Sequence, residues 1–309
     1  MNWNLILWIA FACIVAVTMI IDLGVVSRNA HEIKLRESLR WTAIWISLAL
    51  MFCTGIYIKM GAESGMQFLT GYILEYSLSV DNLFVFLIIF SYFKVPAKYQ
   101  HRVLFWGILV AIVSRVLFIL GGVALVTRFS WMLYILGFIL LYTGIKMAFK
   151  KDEDEIDPEK NIILRLAKKM LPITKTFHEE KFFIREKGRL MATPLFLVLI
   201  VVETSDIIFA IDSVPAILSI STNTLIVITS NVFAVMGLRS LYFALSGVMQ
   251  IFHYLHYGLA VILSFIGIKM LIAGFYHVPI SIALGVVIGT LTVSIIASLI
   301  WPDKKKKTA

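Results

Sequence analysis

The sequence predicts an all-α polytopic membrane protein of about nine transmembrane helices, and three observations carry that expectation. The first is composition: of 309 residues, 60% are hydrophobic and 15% charged, with a mean hydropathy of +0.91, which is too apolar for a soluble domain. The second is segment length. A spanning helix needs roughly 20 mostly apolar residues, and that template fits near 3–24, 41–60, 66–93, 103–126, 130–149, 193–219, 224–248, 254–275 and 280–301. The third is the placing of Lys and Arg: twenty-two fall in one set of alternate loops and two, Lys59 and Arg128, in the other. That bias supports an odd number of crossings, with the N-terminus outside and the C-terminus in the cytoplasm.

Taken in order, WNLILWIAFACIVAVTMII lacks a basic leader before it and an Ala-x-Ala-like site behind it, so it reads as a retained helix. Short loops join the next four segments. One long polar stretch follows at 150–190, a cytoplasmic loop that opens with KDEDEIDPEK and continues as NIILRLAKKMLPI, whose amphipathic spacing suits the anionic inner leaflet of the bilayer. Four more apolar segments and a basic cytoplasmic tail at 302–309 complete a single transmembrane domain over 1–309. The net charge of +9 therefore belongs to the cytoplasmic face and implies no nucleic-acid partner. Cys13 and Cys53 lie in apolar segments without a CxxC motif. No catalytic triad, metal-protease motif or nucleotide loop is present, so the chain does not read as an enzyme. His253 and His256 in FHYLHY read as interfacial.

The costly residues are the ionisable groups inside these segments: Glu75 and Asp81 in the third, Arg115 in the fourth, Lys146 in the fifth, Glu203, Asp206 and Asp212 in the sixth, Arg239 in the seventh and Lys269 in the eighth. Left unpaired at about 2.5–3.5 kcal/mol each, they would cost roughly 20–30 kcal/mol together. That exceeds the ~5–15 kcal/mol net stability of an ordinary fold. They must face one another, water or an ion.

Their order repeats. TGIKM at 143–147 recurs as IGIKM at 266–270, and SVDN at 79–82 matches AIDS at 210–213. An acid stands six residues before each Asp, Glu75 before Asp81 and Asp206 before Asp212, and an arginine follows in each next helix. Helices three to five and six to eight thus share the order acid, acid, Arg, Lys. A three-helix unit repeated in tandem places its copies upside down relative to each other. That is the inverted-repeat plan of secondary transporters, whose substrate site lies near the midplane between the repeats.

Six residues at 100° each set Glu75 and Asp81 about 120° apart on an ideal helix. Helix breaks are therefore expected near Asp81-Asn82 and near Asp212-Ser213-Val214-Pro215, where Pro215 removes a backbone bond. The expected site lies between helices three and six and gathers Glu75, Asp81, Asn82, Glu203, Asp206, Asp212 and Ser213 with freed carbonyls, while Arg115, Lys146, Arg239 and Lys269 compensate charge. Oxygen ligands without Cys or His suit Mn²⁺, Ca²⁺ or Mg²⁺ as a bound or transported ion, with no resident cofactor.

EYSLSVDNLFVF from Glu75, VETSDIIFAIDSVPAI from Val202 and TSNVFAVMGLRSLYF from Thr229 closely resemble the TerC family of bacterial membrane proteins, most nearly its Alx-type members. The resemblance runs from the first helix to about residue 300, and the Glu-x-x-Asp-x-x-Phe-Ala-x-Asp-Ser-x-Pro-Ala pattern over 203–216 is highly specific. It implies a nine-helix inner-membrane protein of manganese homeostasis, a Mn²⁺ exporter, with links to tellurium resistance, alkaline pH and redox modulation. Carried over residue by residue, the acidic signature falls on the seven site residues just named. The expected function is thus export of a divalent cation, with proton exchange available because protons compete for carboxylate ligands. The competing expectation is a membrane modulator or sensor that transports nothing and acts through the 150–190 loop.

Overall fold

The computed structural model describes residues 3–21, 35–129, 131–149, 164–166, 169, 172–174, 176–178, 180–186, 189–245, 254–276 and 278–300, without the side chains of Ile21, Asp81 and Phe84. The acidic opening of the long loop, His253 and the basic tail lie outside the described residues. Among the described residues, besides helical residues at 164–166 and 169, the helices in chain order are α1 Trp3–Ile21, α2 Leu35–Met60, α3 Ala62–Tyr92, α4 Ala97–Arg128, α5 Met132–Phe149, α6 Pro194–Leu218, α7 Thr224–Met236, α8 Leu238–Leu245, α9 Leu255–Leu271 and α10 Ile280–Ile300. Each of the nine expected apolar segments is helical, with α7 and α8 sharing one of them. Eight are long and apolar enough to cross a membrane, and α9, at 17 residues, is shorter. Only a helix or a closed barrel can pair all its backbone groups in hydrocarbon, which is why the apolar runs resolve this way.

The seventh segment is the centre of the bundle, with 94% of its apolar window buried, while α1, α5 and α10 keep most of their length open to lipid. Asn223 starts α7 by accepting a hydrogen bond from Leu225 N at 3.1 Å, and Pro194 opens α6, where its missing N–H has no intrahelical partner to lose. The core divides in two. One cluster joins the first half of α3 and the second halves of α4 and α6 to α1, α2, α7 and α9. The other joins the second half of α3 and the first halves of α4 and α6 to α8. Glu75 on α3, Arg115 on α4 and Glu203 and Asp206 on α6 lie between the two clusters, at mid-helix.

Part of the long loop is built onto the second cluster. Leu164 is buried there, and Ile173, Phe177 and Phe182 pack against it. Strands β1 (Phe183–Glu186) and β2 (Arg189–Ala192) form an antiparallel hairpin that leads directly into α6. Thr193 ties the hairpin down, its hydroxyl donating to Lys181 O at 2.7 Å and its N–H to Phe182 O at 2.9 Å. Helices α3 and α4, of 31 and 32 residues, are about 46–48 Å long and exceed a ~30 Å hydrocarbon core. At the α3–α4 end Tyr99 meets Phe177, and Arg102 pairs with Glu180 at 3.9 Å.

Close backbone approach orders the helices. Gly107 of α4 faces Val202 and Glu203 of α6, and Gly122 faces Val214 and Leu218, so these two helices run side by side in the same direction. Between α5 and α9 the contact is reciprocal. A Cβ on Gly144 would meet Ser264 N at 2.7 Å and Ala260 O at 2.8 Å, while one on Gly267 would meet Leu141 N at 2.6 Å and Gly137 O at 2.7 Å. Residues 144 and 267 are the glycines of the two GIKM motifs.

The expected breaks are corrected by the structure. Helix α3 runs unbroken through Asp81-Asn82, and α6 runs unbroken through Asp212 to Leu218 with Pro215 inside it. An opened turn at mid-helix would strand backbone donors and acceptors between two apolar clusters. Pro215 forfeits one bond near the end of α6, a smaller loss. The interruption falls instead at Gly237, between α7 and α8, where the backbone tightens and Gly237 N donates to Ala234 O at 3.2 Å. A Cβ there would lie 3.4 Å from the Tyr76 ring and 3.6 Å from Trp45.

Gly267→Val is expected to force α5 and α9 apart and to lower stability by about 1–3 kcal/mol, as overpacking does. Gly121→Ala, where an added Cβ meets nothing within 4 Å, should not destabilise. Thermal unfolding of the two purified variants in detergent checks the contrast.

Candidate functional site

Arg115 organises the polar layer. Its side chain is fully buried on α4, and a guanidinium stays protonated at any relevant pH, so counter-ions must come to it. Asp206 of α6 takes a two-pronged bond, Nη2 to Oδ1 at 3.0 Å and Nε to Oδ2 at 3.3 Å. Nη1 donates to Oε1 of Glu75 on α3 and reaches Ser213 Oγ of α6 at 3.4 Å. Ser79, one turn along α3, donates to the same Glu75 oxygen at 3.4 Å. Two carboxylates against one guanidinium leave a formal negative charge, and Glu75 Oε2 has no hydrogen-bond partner among the described residues.

On α6, Glu203, Asp206, Ala210 and Ser213 are spaced three, four and three residues apart and share one face. Glu203, one turn before Asp206, enters a small cavity lined also by Leu83, Gly107, Val202, Asp206, Val235, Leu238 and Arg239. Its space for water-sized spheres is about 20 Å³, and one such sphere needs roughly 10–15 Å³, so the cavity takes a single water-sized occupant. Both carboxylate oxygens of Glu203 are buried without a hydrogen-bond partner among the described residues. A Cβ on Gly107 would stand 3.0 Å from Glu203 Oε1, so the glycine makes the room that the carboxylate occupies.

Asp212 lies elsewhere. It projects from another face of the unbroken α6, and its Oδ1 accepts from Thr143 Oγ1 of α5 at 3.1 Å with Lys146 in electrostatic range. Lys269 donates to Ser219 O at 3.0 Å, where an ammonium satisfies a terminal carbonyl and complements the dipole at the end of α6. Arg239 is buried in the cavity wall, and Asn82 is buried on α3 beside Leu83. The Asp81 side chain lies outside the described residues. Among the described residues, no three His, Cys, Asp or Glu side chains converge into a group able to hold a metal. Of the site residues expected from sequence, Glu75, Asp206, Ser213 and Arg115 meet in one cluster, Glu203 and Arg239 line the adjoining cavity, and Asp212 and Lys146 share a third place.

Gly107, Ser79 and Thr143 were missed by sequence reasoning. None is ionisable, and a glycine inside a helix carries no local sign of what faces it. The recurrence of GIKM was the one available signal near Thr143, which opens the first copy.

Residues 60–307 match the integral membrane protein TerC family. An "Uncharacterized membrane protein STKORF319" of Myxococcus xanthus is 48% identical over 95% of this chain and 92% of its own. The "Putative membrane-bound redox modulator Alx" of Photorhabdus laumondii is 47% identical over 98% of this chain and 97% of its own. The protein of that name from Escherichia coli K12 is 47% identical over 94% of this chain and 93% of its own. No solved structure matches.

Arg115→Met is expected to cost about 3–5 kcal/mol, since it leaves Glu75 and Asp206 as buried charges without their cation. Adding Glu75→Gln and Asp206→Asn to that variant should recover part of the loss. A thermal midpoint for the triple variant no higher than for Arg115→Met alone would show that the ion cluster does not set stability.

Proposed function

The chain belongs to the TerC family of integral membrane proteins, and from that premise we propose that it moves a divalent metal cation across the bacterial inner membrane, with Mn²⁺ export as cargo and direction. The observation that carries this reading is Glu203: a carboxylate at mid-helix in a membrane protein, facing a cavity, with neither oxygen hydrogen-bonded. A charge in that position needs a cation beside it. Asp206 and Glu75 are bound to Arg115, and Arg239, in the wall of the same cavity, makes no hydrogen bond to Glu203, so Glu203 is the acid this reading assigns to the cargo. Oxygen donors of this kind favour Mn²⁺, Mg²⁺ or Ca²⁺ over softer ions.

The transport reading draws support from the reciprocal α5–α9 seam. Offsetting 144, 137 and 141 by 123 positions gives 267, 260 and 264, and the glycine of each motif meets the other helix at those corresponding places. Such two-way contact is the mark of a two-fold relation. Repeats α3–α5 and α6–α9, related in this way, could rock about the Arg115 layer and expose Glu203 to either side. The orientation follows from the Lys and Arg bias, with the N-terminus outside. It places the second cluster and its hairpin at the cytoplasmic end, where the basic loop meets anionic lipid and the cavity receives the ion.

The relatives' printed name favours a second reading, a non-transporting redox modulator. The chain offers it Cys13, exposed on α1, and Cys53 on α2, whose thiol donates to Gly65 O at 3.4 Å.

In proteoliposomes, Glu203→Gln is expected to lower initial Mn²⁺ flux at least about tenfold, the ~1.4 kcal/mol of one lost ligand, with Ca²⁺ and Mg²⁺ as competitors and an imposed pH gradient reporting the coupling. Gly107→Val, which fills the slot opposite Glu203, should lower it comparably. Wild-type flux in folded Glu203→Gln removes that residue from the path. The redox reading requires instead that Cys13→Ala with Cys53→Ala abolish the cellular phenotype at normal expression, whereas the transport reading expects manganese resistance to persist.

A further inference from the structure

The β1–β2 hairpin has two unlike faces. In its antiparallel register Phe183 stands opposite Ala192, Arg185 opposite Leu190 and Glu186 opposite Arg189, and side chains alternate along each strand. Phe183, Arg185, Leu190 and Ala192 therefore share one face. Ile184, Glu186, Arg189 and Met191 share the other, where Ile184 and Met191 are half-buried. On the first face only Ala192, nearest α6, is buried; Phe183 is 41% and Leu190 62% exposed, with exposed Arg185 beside both. A basic side chain thus sits between two open apolar ones, and the acid of the hairpin, Glu186, points the other way.

Two observations say what covers that face. The first is continuity: the Phe183 ring lies 4.5 Å from the ring of Phe196, in the first turn of α6. Phe196 heads a stripe that continues through Ile200, Thr204, Ile208 and Ile211, spaced three or four residues apart on one side of the helix. Ile208 and Ile211 are exposed on a helix long and apolar enough to cross a membrane, so this side meets lipid, and the hairpin extends it past the helix end. The second is charge. FIREKGRLMA carries Arg185, Lys187 and Arg189 against Glu186 alone, and large apolar side chains mixed with basic ones suit the boundary between acyl chains and anionic headgroups. The face is held in that attitude, because Ala192 N donates to Pro172 O and Thr174 N to Ala192 O, both at 2.9 Å.

We propose that Phe183, Arg185 and Leu190 form a binding surface for anionic phospholipid of the bilayer that the protein spans. Phe183 and Leu190 enter the interfacial layer at the mouth of the α6 stripe, and the Arg185 guanidinium donates to headgroup phosphate. Thr193 alone joins β2 to α6, so lipid bound here anchors the helix that carries Glu203 and Asp206.

The test uses full-length protein in nanodiscs, with Cys13→Ala and Cys53→Ala as background and a fluorophore attached at Leu190→Cys or, on the opposite face, at Glu186→Cys. Both labelled positions are exposed, so the core is left as it is. Spin-labelled phosphatidylglycerol is expected to quench the label at 190 more than the label at 186, and more than spin-labelled phosphatidylcholine does. Adding Arg185→Gln should lower that preference by up to about fivefold, the worth of one basic residue near an anionic surface, and high salt should lower it too. Equal quenching by the two lipids, unchanged in Arg185→Gln, overturns the proposal. So does a label at 190 that aqueous iodide quenches and neither lipid reaches, which places the hairpin off the bilayer. A label at 190 shielded from iodide and from both lipids puts protein on that face, a second copy if the shielding appears only with two protomers per nanodisc, and overturns it equally. None of these measurements involves Mn²⁺, so the proposal stands or falls apart from the cargo reading.

Discussion

A guanidinium held in an apolar interior is the constraint around which this protein is arranged. The Arg115 guanidinium cannot reach water from the middle of α4, so it compels two other helices to bring carboxylates to it. Glu75 and Asp206 answer from α3 and α6, and the fork to Asp206 sets the rotation of α6 as well as its height. Breaking such a set leaves uncompensated buried charge, which is far more costly than never having built it. Apolar clusters above and below exclude water from the layer and so strengthen every interaction inside it.

That arrangement also decides which acid is available for other work. Residues spaced three, four and three along α6 share a face, so the turn that brings Asp206 and Ser213 to Arg115 brings Glu203 into the neighbouring cavity. Because α6 stays helical through Pro215, Asp212 is carried round to α5 and finds Thr143. The acids therefore form separate stations along the bundle.

The GIKM repeat has a packing origin as well as a charge one. Its glycines let α5 and α9 approach until each would put a Cβ within 2.8 Å of the other's backbone. Lipid supplies no hydrophobic drive between helices, and small residues at the seam are how such pairs gain contact. The lysine two positions on is then delivered to the end of its helix, where Lys269 bonds Ser219 O and Lys146 approaches Asp212.

The sequence by itself determined the medium, the helices and the inventory of costly groups, because hydrocarbon thickness and the price of an unpaired charge are the same for any chain. Nine apolar runs became helices for that reason, and Glu75, Arg115, Glu203, Asp206 and Ser213 were legible as residues that could not be idle there. Partnership was not legible. Which carboxylate met Arg115, which was left to Glu203's cavity and which went to α5 depended on helix rotation. Rotation is set by contacts distant in sequence, such as Gly107 against α6 and Gly267 against α5. Helix continuity was likewise a tertiary decision: Pro215 favours a break locally, but the surrounding apolar packing offers no partner for the backbone groups a break would free, so the interruption moved to Gly237, where Tyr76 and Trp45 close over a residue without a side chain.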